Sequence, residues 1–393
     1  MRLDAAAILC ALSAAPLAAQ YTFFTPPGSF AVEVSLDNAP YPRLPIHRNA
    51  ITSLEVVGDF AIGGTTAKPG LSPYLFAVSL AKKKLVSFHD LGKSIPGQRA
   101  IPGGFGRGAD GSLYGGTLPG DAGGSGHLFS ARFDGTDFAV TDLGIPVAGE
   151  GVFAVAFDAR AATLYGITYP SGKFFAYPLK TRAAAVYEQT AAVRREMGVM
   201  REYSLRPEDC LSRRLVVDRA GRVYGSKPVN KIFRFDPEKK SVEILAGELP
   251  EVWGRRTLGR VDAWAVAPDG TLFGGNAGDG QLFKLDPSTG NVTNLGKPAM
   301  MPRVPGLAFA ADGRLYGVSG AQPGYAHLFY YEPAGRGFVD LGNPRFMMTE
   351  PGIEQSIAWR GFQIGTLAVS EDGRYVVMGE DEALSQLMVF QVK

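Results

Sequence analysis

Short apolar runs alternate with turn residues along almost the whole chain. From Pro268 to Gly296 the sequence reads PDGTLFGGNAGDGQLFKLDPSTGNVTNLG: a DG turn, an LFG run, a second LF run, an LDP turn and a closing NLG. The phrase recurs. It reads ITSLEVV, FAIGG, YLFAVSL and LVSFHDLG between Ile51 and Gly92, and GGFGRGADGSLYGG, GHLFSARFDG and FAVTDLG up to Gly144. A third unit, VFAVAFDARAATLYGITYPSGKFFAYPLKT, ends near Thr190; a fourth, RRLVVDRAGRVYG with NKIFRFDPEKKSVEILAG, ends at Gly247. The quoted phrase belongs to the fifth. The sixth is VPGLAFAADGRLYG with AHLFYYEPAGRGFVDLG, and the seventh is IGTLAVSEDGRYVVMG with SQLMVFQVK.

Each unit spans roughly 40–55 residues and holds four short β runs, the period of propeller blades. Runs such as AVAFD and LAFAA are continuously apolar, as strands covered on both sides must be. The DG pairs Asp110–Gly111, Asp269–Gly270, Asp312–Gly313 and Asp372–Gly373 supply tight turns between strands. The fold class is therefore all-β: a seven-bladed β-propeller of four-stranded antiparallel blades. The last unit has only three strands. SFAVEVSL, about residues 29–36, is strand-like and has no other home, so it is expected to join that unit and close the ring. Closure removes an exposed sheet edge. The first and fourth units match the phrase loosely, which leaves an eighth blade open as an alternative.

These repeats resemble the seven-bladed β-propeller superfamily with YVTN- and streptogramin-lyase-like repeats, over nearly all of residues 21–393. The resemblance implies the fold more than the activity, because propellers host unrelated functions. A more distant similarity is to propeller-fold polysaccharide lyases, such as those acting on ulvan.

Composition narrows the partners. Net charge is +2, which argues against a nucleic-acid protein held by a bulk basic field. The first 20 residues, MRLDAAAILCALSAAPLAAQ, read as a signal peptide: an Arg, an apolar run too short to span a bilayer, then small residues. The expected location is secreted or periplasmic, without a membrane span. Removing that leader leaves Cys210 alone, so no internal disulfide forms and stability rests on packing. GRGADG at 106–111 matches GxGxxG, but a DG turn and a strand follow where dinucleotide binding needs a helix. His47, His89, His127 and His327 show no metal-ligand spacing, so no metal and no cofactor is expected, a divalent metal held by residues from several blades being the alternative left open.

Candidate chemistry lies in two loop sets that share one face of a propeller. The segments before the innermost strands carry a recurring cation: Arg48, Arg99, Arg213, Arg256, Arg303 and Arg360. Together these would form a positive funnel at the mouth of the channel, suited to carboxylates. The loops after the second strands, and the residues opening the third, vary from unit to unit; they include His127, Tyr169, Lys227, Asn276 and His327. One reading is β-elimination on a uronate-containing polysaccharide, with Arg neutralising the carboxylate and His127 and Tyr169 as the acid–base pair. The other is a non-catalytic, monomeric propeller that binds an anionic glycan or a partner protein.

Overall fold

The computed structural model describes residues 23–24, 27–34, 49–189, 210–227, 230–251, 259–320, 326–335, 337–344, 347–348, 363–381 and 386–392. Over these the strands fall into seven sheets, and their innermost strands line one axis, the seventh meeting the first. The architecture is a seven-bladed β-propeller. Blade 1 runs from Asn49–Val57 out to Lys84–Asp90, blade 2 from Gly106–Arg107 to Phe138–Gly144, and blade 3 from Gly151–Asp158 to Ala185–Gln189. Blade 4 runs from Val216–Val217 to Ser241–Glu248, blade 5 from Val261–Val266 to Val292–Gly296, and blade 6 from Gly306–Phe309 to Gly337–Pro344. Blade 7 contributes Ile364–Val369, Tyr375–Glu380 and Gln386–Gln391. The GRGADG segment does enter strand Leu113–Gly116, with no helix behind it.

The fourth strand of blade 7 comes from the N-terminal region, as the sequence predicts. Phe30–Glu33 pairs antiparallel with the last strand, in the register Phe30↔Val389, Ala31↔Met388, Val32↔Leu387 and Glu33↔Gln386. A second tie was not foreseen: Phe23–Phe24 runs parallel to Asn343–Pro344 at the outer edge of blade 6. Two chain segments thus clasp adjacent blades, and both outer edges are occupied.

The repeated phrase has a packing cause. The glycine of each LYG-type run faces an aromatic ring of the LF run in register: Gly63↔Phe76, Gly115↔Phe129, Gly166↔Phe175, Gly225↔Phe233, Gly274↔Phe283 and Gly317↔Phe329. A Cβ on Gly166 would sit 2.3 Å from the Phe175 ring, and one on Gly274 equally close to that of Phe283. The ring lies flat over the bare backbone and fills the gap between blades. All six phenylalanines are fully buried. Blade 7 uses Met378 against Met388 instead. The hydrophobic clusters accordingly lie between neighbouring blades, for example Phe30, Ile51, Phe76 and Leu387 between blades 7 and 1.

The DG phrase is explained as well. Asp110, Asp269, Asp312 and Asp372 each accept a hydrogen bond from the backbone N–H two residues on, at 3.1, 2.8, 3.0 and 3.0 Å. The intervening glycine holds φ between +67° and +94° in all four, a conformation that costs glycine nothing. Among the described residues no helix is long and apolar enough to cross a membrane.

Candidate functional site

The segments that precede the inner strands of blades 4, 5 and 6 place three arginines around one carboxylate. Arg303 donates through Nε to Asp262 Oδ2 at 2.9 Å. Arg260 Nε and Arg213 Nε stand 3.8 and 3.9 Å from Asp262 Oδ1, an ion-pair but not a hydrogen-bond distance. Arg303 Nη1 lies 3.8 Å from Asp381, which follows the second strand of blade 7. Asp262 is almost wholly buried, whereas the Arg213 side chain keeps 27% of its surface exposed.

Local backbone geometry aims these groups. The ladder between Val261–Val266 and Leu272–Asn276 breaks register between Val261 and Ala263, so Asp262 is a bulged residue. A bulge turns one extra side chain out of the sheet pattern. The same break recurs in blades 1, 3 and 7, at Thr52, Phe153 and Gly365. Gly365 leaves room for Asp381, since a Cβ there would meet the Asp381 carboxyl at 2.5 Å. Arg303 itself has φ +63°, a left-handed backbone that a non-glycine residue adopts only when its surroundings hold it.

Arg214, next to Arg213, points elsewhere. It crosses the axis from blade 4 and donates through Nη2 to the carbonyl of Thr52 in blade 1, at 3.3 Å. Its guanidinium rests on Gly104 of blade 2, where a Cβ would approach Nη1 to 1.8 Å. The side chain is a crossbar between the arginine cluster and the channel below it. That channel holds a cavity of about 360 Å³ to which all seven blades contribute, with Glu55, Arg214 and Trp264 among the lining residues.

The electrostatics favour an incoming anion. Burial opposes ionisation of Asp262, but Arg303, Arg213 and Arg260 outweigh it and hold its carboxyl at about 2. Burial lowers the Arg213 guanidinium, and repulsion from Arg303 lowers it further. Burial, then the neighbouring Arg213, bring Arg214 down to about 10. All remain charged at neutral pH. Arg213, Arg260 and Arg303 gather around Asp262, with Asp381 beside Arg303, so positive charge is concentrated on this side of the axis.

Of the arginines that the sequence singles out, Arg213 and Arg303 meet here. Arg99 does not: its Nη1 donates to Asp121 at 2.9 Å on an exposed surface. Arg48, Arg256 and Arg360 lie outside the described residues, as do residues 1–22. Arg260, Arg214, Asp262 and Asp381 went unselected. The signal for Asp262 was available, because VDAWAV puts a charge inside a run that is otherwise apolar.

The residues that open the third strands form a different system. His127 Nδ1 is 3.0 Å from both oxygens of Asp142 on the outer strand, and His327 Nδ1 is 2.9 Å from those of Asp340. Lys231 with Glu248, and Gln281 with Asn294, occupy the equivalent places in blades 4 and 5. In these four blades variation at this position exchanges one third-to-fourth-strand clasp for another, whereas Lys173 of blade 3 pairs with Glu150, 3.5 Å away, ahead of the inner strand. The His127 backbone N–H also donates to Thr117 Oγ1 at 2.8 Å. Tyr169 ends the second strand of blade 3 and stacks on Phe153, ring centroids 6.1 Å apart. Asn276 is buried, donating to the Pro250 carbonyl at 2.6 Å and accepting from the Gly278 N–H at 2.9 Å. Lys227 ends the second strand of blade 4, in register with Lys231.

No protein-family profile matches the chain, and no curated sequence does. Solved structures share its fold at low identity. A streptogramin B lyase superposes with a TM-score of 0.62 at 8% identity, covering 93% of this chain and 98% of its own. The WD40 repeats of RRP9 superpose at 0.59 and 11%, covering 94% and 99%. The extracellular domain of a putative hybrid two-component system from B. thetaiotaomicron superposes at 0.57 and 13%; the match takes in 93% of this chain but 40% of that one. These likenesses carry the propeller fold and no activity.

Proposed function

We propose that this protein binds a carboxylate-bearing ligand at the axial mouth, and that the ligand class is a uronate-containing polysaccharide. The observation that carries the reading is the convergence of Arg213, Arg260 and Arg303 on a single buried carboxylate, with Arg213 still open to solvent. A ligand carboxylate that reaches Arg213 at the open side of this cluster meets concentrated positive charge. Low-dielectric walls concentrate the field. Guanidinium forks also match carboxylates geometrically.

The test is a binding titration with polygalacturonate, alginate and a neutral glucan. Replacing both Arg213 and Arg303 with Ala should abolish binding to the acidic chains and remove its salt dependence. Equal affinity for the neutral glucan, or no effect of the double replacement, would defeat the reading.

A second reading adds β-elimination, with His127 and Tyr169 as acid and base. The His127–Asp142 pair favours it, because a carboxylate on Nδ1 orients an imidazole for proton transfer through Nε2. The identical His327–Asp340 pair speaks for a structural clasp, so binding is the reading supported best. Incubation with the same polyuronates, followed by ultraviolet absorbance of an unsaturated product, separates the two. Export of the protein belongs to the same proposal, supported by the apolar leader of the first 20 residues; the N-terminal sequence of the native protein would check it.

A further inference from the structure

We propose that the axial channel beneath the Arg214 crossbar is a second ligand site, which takes a small zwitterion of amino-acid size with its ammonium group at Glu55 and its carboxylate at Arg214. This inference is independent of the polysaccharide reading, which concerns the arginine cluster above.

Three features of the cavity point to it. First, the residues that line it include one carboxyl, Glu55, and one guanidinium, Arg214; the rest are glycines, a proline and apolar or aromatic side chains. Second, the two charges do not satisfy each other. Among the described residues Glu55 takes one long hydrogen bond, from the N–H of Val56 at 3.4 Å, and makes no ion pair. Arg214 spends Nη2 on the Thr52 carbonyl. Third, Trp264 lines the same cavity, and its indole N–H is buried with no acceptor. An indole N–H buried without an acceptor costs stability that a ligand acceptor restores.

Size and charge select the class. At about 30 Å³ per water, a cavity of about 360 Å³ holds roughly a dozen waters, or a solute of about ten heavy atoms. A simple anion would meet Glu55. A simple cation would meet Arg214, with Arg107 close behind, since Arg107 donates to the Val56 carbonyl at 3.1 Å and pairs with Glu371. A metal ion lacks ligands, because the described residues contain no cluster of three or more His, Cys, Asp or Glu. A molecule with both charges meets each wall with the opposite sign.

Protonation ties the site to pH. Burial pushes the Glu55 carboxyl up to about 7, against the pull of Arg107, the Val56 N–H and Arg214, with Glu371 adding a small push. Near neutrality the group is therefore about half protonated in the empty channel. An ammonium at Glu55 favours the ionised form, so binding should release a proton and tighten as pH rises through about 7.

Calorimetric titration of the full chain tests this, using glycine, alanine, leucine and glutamine, with acetate and methylammonium as single-charge controls. Each is run in two buffers of different ionisation enthalpy. At least one amino acid should bind roughly tenfold or more tightly than either control, with net proton release. Glu55→Gln should weaken it by about tenfold or more and abolish the proton release. The Arg213→Ala/Arg303→Ala protein should keep amino-acid affinity while losing polyuronate affinity, so that failure of one site is distinguishable from failure of the other. The proposal is overturned if no amino acid binds at millimolar concentration, if acetate or methylammonium binds as well, or if a folded Glu55→Gln protein, judged by an unchanged circular dichroism spectrum, binds as tightly.

Discussion

Replacing Asp262 with Asn removes the one carboxylate on which Arg213, Arg260 and Arg303 converge. The Asp262 carboxyl is held at about 2, against 3.8 for a free side chain. A shift of that size corresponds to about 2 kcal/mol of folding stability. Because the folded value is the lower one, this contribution is fully present above about pH 4 and is lost as pH falls through about 2. The substitution removes more than that, since Arg213, Arg260 and Arg303 lose the counter-charge they share. Breaking a buried ion pair from one side typically costs about 3–5 kcal/mol, and the loss here should fall in that range. Urea denaturation at neutral pH, with and without sulfate, is the assay. Chloride at matched ionic strength separates occupancy of the site from screening, and the parent protein in sulfate corrects for general salting effects. The variant should lose its stability in chloride and regain roughly 2–3 kcal/mol in sulfate, as expected for an anion present at about a hundred times its dissociation constant. A variant as stable as the parent, or one that sulfate leaves unimproved relative to the parent, would refute the view that these arginines form one anion-seeking unit.

Other outcomes follow from the same structure. Glu55→Gln should match the parent near pH 4 and exceed it by up to about 3 kcal/mol above about pH 8. The folded value near 7 exceeds the usual 4.5, so the parent loses stability as pH rises between them; parallel denaturation curves across that range would contradict it. Gly166→Ala should destabilise by about 1–3 kcal/mol, because its methyl group would sit 2.3 Å from the Phe175 ring, and thermal melting reads the loss. Val32→Asp puts a charge into the buried ladder opposite Leu387. It should open the ring at blade 7 and cost about 3 kcal/mol or more, seen as protease cleavage of native protein that the parent resists.

The amino-acid sequence by itself determined the architecture. Its period, its DG turns and its lone leftover strand point to seven blades and to the closure, because each reflects contacts made within one blade or between adjacent ladders. The alternative of eight blades is excluded by the seven sheets, in which the first and fourth units form blades despite their loose match. The pairing of LYG glycines with LF aromatics was present in every unit but one, though its meaning needed the register. What only the tertiary structure decided is which charges meet. Arg213, Asp262, Arg303 and Asp381 are far apart in the chain and belong to or flank different blades. Whether they touch depends on the bulge at Asp262, the left-handed backbone of Arg303 and the space left by Gly365. Arg213 and Arg214 show the limit most clearly. They are neighbours of identical type, yet one joins the mouth of the propeller and the other bridges its axis to Thr52. Long side chains choose partners by the geometry around them, and that geometry exists only once seven blades have closed.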